Sequence, residues 1–226
     1  MAALEKMDAF FNARALSYDD HMLKDLGLEE FYEETARQLY GLKETDSLLD
    51  LGCGTGLELD RLLNQCPGLS VTGVDVSQAM LSLLKAKYPG KNLHLICGSY
   101  FDVPLADGAY GYALSTYSLH HFAKEQKRAL YQRIYRALKP AGKFVLGDYT
   151  VKTQEEEDFY LGESLRLSGE NMPGGSYHYD TPFTPGTEMK LLKEAGFTDI
   201  RVARQWENTT VFVAIKQPSA SARRDR

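Results

Sequence analysis

The chain has 226 residues, 43% of them apolar and 25% charged, with 26 basic against 31 acidic side chains and a formal net charge of −5. That length and balance describe one folded domain, or one with a small appendage, able to bury a core of its own. No apolar run approaches the roughly 20 residues of a bilayer span, the start lacks the order of a secretory signal, and an acidic chain without a basic face is a poor partner for a long nucleic acid.

Two helical patterns come first, at about 4–16 and 29–40, where Phe31, Ala36, Leu39 and Tyr40 fall at helical intervals. They are expected to form an N-terminal helical cap over 1–45. Ser47–Leu51 is a short apolar run ending in glycines and reads as a buried strand. A helix with a polar face of Glu58, Asp60 and Arg61 follows over 57–64, then a strand over 69–76 and a helix to Lys87 with Ser77 as its N-cap. Strands are expected over 92–97 and 110–115. The amphipathic helix 123–138 is stopped by Pro140 and Gly142, and a strand runs over 143–149.

Residues 154–167 read as a helix, 169–186 as a long loop lying over the domain as a lid, and 187–195 as a short helix closed by Gly196. Two strand patterns, 199–206 and 209–216, close the domain at about 217, and 218–226 reads as a disordered tail. Strands alternating with helices give an α/β fold: a doubly wound, mostly parallel sheet with helices on both faces. The last two strands are joined so tightly that one of them must run antiparallel.

Leu49-Asp50-Leu51-Gly52-Cys53-Gly54-Thr55-Gly56 stands where the first strand turns into a helix. In a doubly wound sheet that is the mouth where ligands bind. Glycines let the backbone approach a ligand closely, and free N–H groups at a helix start favour a polar or anionic group. Nineteen residues after Gly56, Asp75 ends the second strand, where a carboxylate can accept both hydroxyls of a ribose. Loop plus acid point to an adenosine-type cofactor. The spacing is G-x-G-x-G rather than the dinucleotide G-x-G-x-x-G, which disfavours a dehydrogenase. Asp50 beneath the loop is awkward for a pyrophosphate and suits a cationic ligand.

With these residues the chain resembles a class I S-adenosylmethionine-dependent methyltransferase over about 47–216. Gly73-Val74-Asp75, Leu119-His120-His121-Phe122 and Leu138-Lys139-Pro140-Ala141-Gly142-Lys143 extend the likeness. The resemblance implies a Rossmann-like seven-stranded sheet ending in an antiparallel hairpin, with S-adenosyl-L-methionine as cofactor. By position, it implies that Asp50 and loop residues Gly52, Cys53, Gly54 and Gly56 hold the methionine part. It places Asp75 on the ribose, Val76 and Met80 against the adenine, and Gly98-Ser99-Tyr100 at the adenine amine. Ser99 there replaces the family's usual acid, with Asp102 as a substitute. Ser115 to Leu119 would line the methyl end, and Tyr18 would close over the cofactor.

Methyl transfer is an in-line displacement, and a base is needed only where the acceptor must lose a proton. The acceptor is expected to be a small molecule methylated on O, N or S. Its candidate contacts are Tyr18, His21, His120, Tyr149, Tyr160, Tyr177, His178 and Trp206. Candidate catalytic groups are His178, which titrates near neutrality, His120 and Asp148. Neither His120 nor His121 has a partner at metal-ligand spacing, and Cys53, Cys66 and Cys97 form no CxxC pair, so no metal is expected. The three cysteines suit a reducing cytoplasm. No nucleic acid or membrane partner is expected, and the protein would be a monomer or homodimer. The competing readings are an RNA or protein methyltransferase and a non-catalytic module that binds the cofactor.

Overall fold

The structure is a computed structural model and describes residues 5–168 and 177–218. The order of elements is α1 (Met7–Arg14), a single turn α2 (Tyr18–Asp20), α3 (Glu29–Arg37), β1 (Ser47–Leu51), α4 (Leu59–Gln65), β2 (Ser70–Asp75), α5 (Gln78–Lys87), β3 (Leu93–Cys97) and β4 (Tyr110–Thr116). There follow α6 (Lys124–Ala137), β5 (Leu138–Tyr149), α7 (Gln154–Ser168), α8 (Pro185–Glu194), β6 (Thr198–Gln205) and β7 (Thr209–Ile215).

Among the described residues seven strands form one sheet in the order β3-β2-β1-β4-β5-β7-β6. β1 to β5 pair in parallel. β7 runs antiparallel to both β5 and β6, so it is the reversed strand of the closing hairpin. The order reverses between β1 and β4, and a crevice opens at the carboxyl ends of those two strands.

Each face of the sheet carries its own core. Leu130, Tyr131 and Ile134 of α6 with Leu191 and Leu192 of α8 cover one face. Phe31 and Tyr32 of α3, Leu59 and Leu62 of α4 and Leu81 and Leu84 of α5 cover the other. The central strands are apolar on both sides because both faces are covered: Phe144 and Val145 are neighbours on β5 yet belong to opposite cores. The N-terminal segment is tied to the domain through Asn12, whose side-chain oxygen accepts from the Ala79 N–H at 3.0 Å and the Ser77 hydroxyl at 2.8 Å.

The structure departs from the sequence reading in several elements. The stretch 15–25, between the two leading helices, is a succession of tight helical turns, three-residue, α and π in type. β5 begins at Leu138 rather than Lys143, because Leu138 pairs with Tyr110 before the register shifts across the Pro140–Gly142 turn. α8 begins at Pro185, two residues early, with the Thr184 hydroxyl capping the Thr187 N–H at 3.2 Å. Residues 169–176 of the expected lid and 219–226 of the expected tail lie outside the described residues. No described helix is long and apolar enough to cross a membrane.

Candidate active site

The glycine loop shapes a cleft at the β1/β4 crevice. Gly52 and Gly54 have φ of +74° and +47°, a region costly for residues with a Cβ. A Cβ on Gly52 would also stand 2.1 Å from Ser118 Oγ, so this backbone can pass beneath Ser118 only as glycine. Asp75 accepts hydrogen bonds from the Gly54 N–H at 2.9 Å and the Ser77 N–H at 2.8 Å. Burial raises its pKa and these two donors oppose the rise.

Gly52, Gly54, Asp75, Val76, Met80, Ser99, Tyr100 and Tyr18 all line this cleft, as their sequence positions implied. The other expected cofactor residues do not. Cys53 turns its thiol down into the core, where a Cβ on Gly73 would lie 2.8 Å from the sulfur. Gly56 packs against Leu84, and its carbonyl accepts from the Tyr88 hydroxyl at 3.0 Å. Gly98 donates to the Asp75 carbonyl at 2.9 Å. Ser115 donates to the Leu51 carbonyl at 2.7 Å, tying β4 to β1. Leu119 is fully buried in the core, and Asp102 is exposed. The cleft is completed by Tyr117 and Ser118, within the stretch expected at the methyl end, and by Met7 and Phe11 of α1, which the sequence did not single out.

Beneath the loop lie two buried acids, Asp50 at the end of β1 and Glu58 just before α4. Glu58, expected on a solvated helix face, is 3% exposed. Its Oε2 accepts from the Thr116 hydroxyl at 3.1 Å. Among the described residues no donor reaches Glu58 Oε1 or either oxygen of Asp50. Burial drives the pKa of both upward, Glu58 to about 7, and their mutual contact raises Asp50 further. Orphaned buried acceptors call for a ligand or a proton. Acceptors beneath a glycine cradle, with Asp75 across from them, fit a ligand that carries an ammonium at one end and a ribose at the other.

Beside the cleft opens a larger cavity of about 760 Å³. Tyr18, Tyr117 and His121 line both spaces, so the two meet there. Phe10, Phe11, His21, His120, Tyr149, His178 and Asp180 line the larger one. Of the expected acceptor contacts, three lie off its walls. Tyr160 reaches it only through its hydroxyl, 2.9 Å from that of Tyr149. Tyr177 forms an isolated bridge with Lys6. Trp206 packs on Phe31 and donates its indole N–H to Glu30 at 3.2 Å.

The wall nearest the cleft is a buried histidine network. His120 Nδ1 lies 2.6 Å from Asp148 Oδ1. His121 Nδ1 lies 3.0 Å from the Tyr179 carbonyl and 3.1 Å from Asp180 Oδ1, which is 3.7 Å from His120 Nε2. Ligand atoms of His120, His121 and Asp180 fall within 4.8 Å of one another, so the fold supplies the third group that sequence spacing did not reveal. Each histidine also has a hydrogen-bonded partner within the protein. The Tyr179 carbonyl can only accept, which places a proton on Nδ1 of His121.

Behind Asp148, fully buried Lys127 lies 4.0 Å from Oδ2 and pairs closely with fully buried Glu188, which also accepts from the Tyr131 hydroxyl at 2.6 Å. Burial alone would raise the Asp148 pKa, but His120 and Lys127 hold it below the ordinary carboxylate value. An ionised Asp148 accepts the Nδ1 proton of His120, which leaves Nε2 as the unprotonated nitrogen of the ring. His178 stacks flat on Phe10, with centroids 3.5 Å apart, and burial together with His121 lowers its pKa to about 4.

The comparisons with known proteins agree with this geometry. The methyltransferase domain family matches residues 48–142. An uncharacterized methyltransferase of Oceanobacillus iheyensis is 32% identical over 141 residues, 61% of this chain and 64% of that one. The chain thus spans just under two thirds of that relative. A carboxy-S-adenosyl-L-methionine synthase of Desulfotalea psychrophila is 30% identical over 236 residues, 92% of each chain. The structure of human N-acetylserotonin methyltransferase in complex with S-adenosylmethionine superposes with a TM-score of 0.61 at 20% identity, over 92% of this chain and 59% of that one. A crevice of this build, on this sheet, defines a Rossmann-like α/β protein. Specifically, the chain is a member of the class I S-adenosylmethionine-dependent methyltransferases, an enzyme with S-adenosyl-L-methionine as cofactor.

Proposed function

We propose that the protein transfers a methyl group from S-adenosylmethionine to an O, N or S atom of a small molecule seated in the 760 Å³ cavity, with His120 as the base. The observation that carries this reading is the buried His120–Asp148 pair opening on that cavity where it meets the cofactor cleft. The bound cofactor supplies an electrophilic sulfonium methyl. Asp75 would hold the ribose hydroxyls, and Val76, Met80, Ser99 and Tyr100 would hold the adenine. Asp50 faces the amino-acid end.

In the cavity, Tyr117 and Tyr149 flank His120 edge-on, with centroids 5.9 and 5.8 Å away. They keep water from the ring and shape a slot for an aromatic or otherwise flat acceptor. His120 Nε2 accepts the proton that the acceptor atom loses. The imidazolium so formed lies between two carboxylates, Asp148 at 2.6 Å and Asp180 at 3.7 Å, which stabilise the charge as it develops. His178, lowered to about 4, is neutral at physiological pH but a weak base, and its stacking on Phe10 makes it a wall of the acceptor site.

A small acceptor is favoured over RNA by the net charge of −5 and by the carboxylates at the cavity. The test is incubation with methyl-labelled cofactor and, separately, a metabolite extract, total RNA and total protein. Label is expected in the metabolite fraction and absent from it with His120→Ala. Label confined to RNA or protein would refute the small-molecule reading.

The full-length likeness to a carboxy-S-adenosyl-L-methionine synthase favours a second reading, in which the cofactor itself is the molecule altered. That reading predicts a cofactor carrying an added carboxyl group by mass spectrometry, with no methylated acceptor.

A further inference from the structure

We propose that Glu58 is a second acid in the amino-acid end of the cofactor site: in the free protein it shares one proton with Asp50, and that proton is released when the ammonium of the cofactor docks. The inference rests on the methionine end lying over the glycine loop. It goes further in assigning Glu58, outside the loop motif, and a proton that binding displaces.

The argument begins with an accounting of donors. Asp50 is fully buried and Glu58 nearly so, and the two side chains are in contact. As two carboxylates both are acceptors, and among the described residues only the Thr116 hydroxyl donates to the pair, to Glu58 Oε2. Two touching buried anions with three unserved oxygens are costly. One shared proton removes a charge and supplies the missing donor.

The surrounding groups give no other remedy. Asp75 on β2 adds a negative charge. Tyr18 of α2 and Tyr32 of α3 face Glu58, and burial raises both hydroxyls, keeping them neutral. The buried Cys53 thiol is likewise raised by burial and by Asp50. Lys87 of α5 acts on Glu58 from a distance and is bound to Asp19 at 3.2 Å and Asp60 at 3.5 Å. Tyr88, just past the end of α5, gives its hydroxyl to Asp60. Among the described residues no cation is hydrogen-bonded to the unserved oxygens of the pair.

The cofactor carries one. Its ammonium has three donors, and Asp50 and Glu58 hold three unserved acceptor oxygens. When the ammonium docks, the shared proton leaves for solvent and both acids ionise. One positive charge replaces another, so the pocket keeps its net charge. The linkage follows: below the titration of the pair, affinity rises about tenfold per pH unit, and it levels off above.

The experiment is calorimetric titration of the whole protein with S-adenosylhomocysteine at about pH 6, where an ordinary carboxyl is already ionised and a shared-proton pair is not. It is run in two buffers of different ionisation enthalpy. Wild type is expected to release close to one proton per ligand. Glu58→Gln is expected to bind with little or no release and with an affinity flat in pH. Methylthioadenosine, which lacks the amino-acid end, is expected to bind wild type without release. The wild-type comparison needs no variant. Equal enthalpies in both buffers for S-adenosylhomocysteine, or undiminished release from Glu58→Gln, would overturn the proposal. Proton release by methylthioadenosine would do the same, because the proton would then come from Asp75. No binding of S-adenosylhomocysteine at all would remove the placement of the methionine end itself, a separate failure.

Discussion

Asp148→Asn is the sharpest perturbation of the proposed chemistry. The substitution keeps size and an acceptor oxygen for the Nδ1 proton of His120, and removes only charge. Asp148 is fully buried and 2.6 Å from that nitrogen, so the loss falls on the imidazolium formed during turnover. For centres of charge about 4 Å apart at an effective dielectric of about 20, the attraction is about 4 kcal/mol. At about 1.4 kcal/mol per decade this corresponds to a turnover about 10³-fold lower. Lys127 does not become an orphan, because Glu188 remains its partner. The assay is steady-state methyl transfer to the acceptor found in the extract screen, alongside the affinity for S-adenosylhomocysteine. Turnover within about tenfold of wild type would refute the role of Asp148, since general-base assistance is worth at least about 10². A loss of cofactor affinity matching the loss of rate would show that the carboxylate serves the fold instead.

Further expectations attach to single residues. Asp75→Ala should weaken S-adenosylhomocysteine about 100-fold or more, because charge-assisted hydrogen bonds are worth roughly 1.5–3 kcal/mol each; unchanged affinity by calorimetry contradicts the ribose assignment. His178→Ala should raise KM for the acceptor and leave kcat within about tenfold, whereas a loss of kcat at constant KM would restore it as the base. Glu58 has a pKa raised above its unfolded value, so its contribution to stability is present below about pH 4.5 and lost as pH rises through about 7. Glu58→Gln should therefore gain thermal stability relative to wild type over that window in the free protein, and a Tm difference constant with pH would contradict this.

The sheet was legible because its strands are short apolar runs punctuated by glycine, with the glycine loop and Asp75 marking where the crevice falls. The closing hairpin followed from a two-residue link alone. The early start of β5 was hidden: Lys139, Pro140 and Gly142 are turn residues, and only the pairing of Leu138 with Tyr110 makes the stretch extended. The cleft was legible where a residue lines it from its place in or just after a motif, as Gly52, Asp75 and Met80 do. It was not legible where partners meet across the fold. Asp180 reaches His121 across 59 positions of sequence, and Lys127 meets Glu188 across 61. Glu58 stands two and three residues before Asp60 and Arg61 and reads as their polar neighbour, yet at the start of α4 it is buried. Tyr117, with φ of +45°, carries no sequence signal for that backbone and still lines both spaces.

The most direct single measurement is a calorimetric titration of the wild-type protein with S-adenosylhomocysteine and, in parallel, with NAD. The account predicts one S-adenosylhomocysteine per chain at micromolar affinity and no heat from NAD. Binding of NAD with none of S-adenosylhomocysteine would contradict it at the root, because the glycine loop, Asp50 and Asp75 would then be serving a pyrophosphate rather than an ammonium and a ribose.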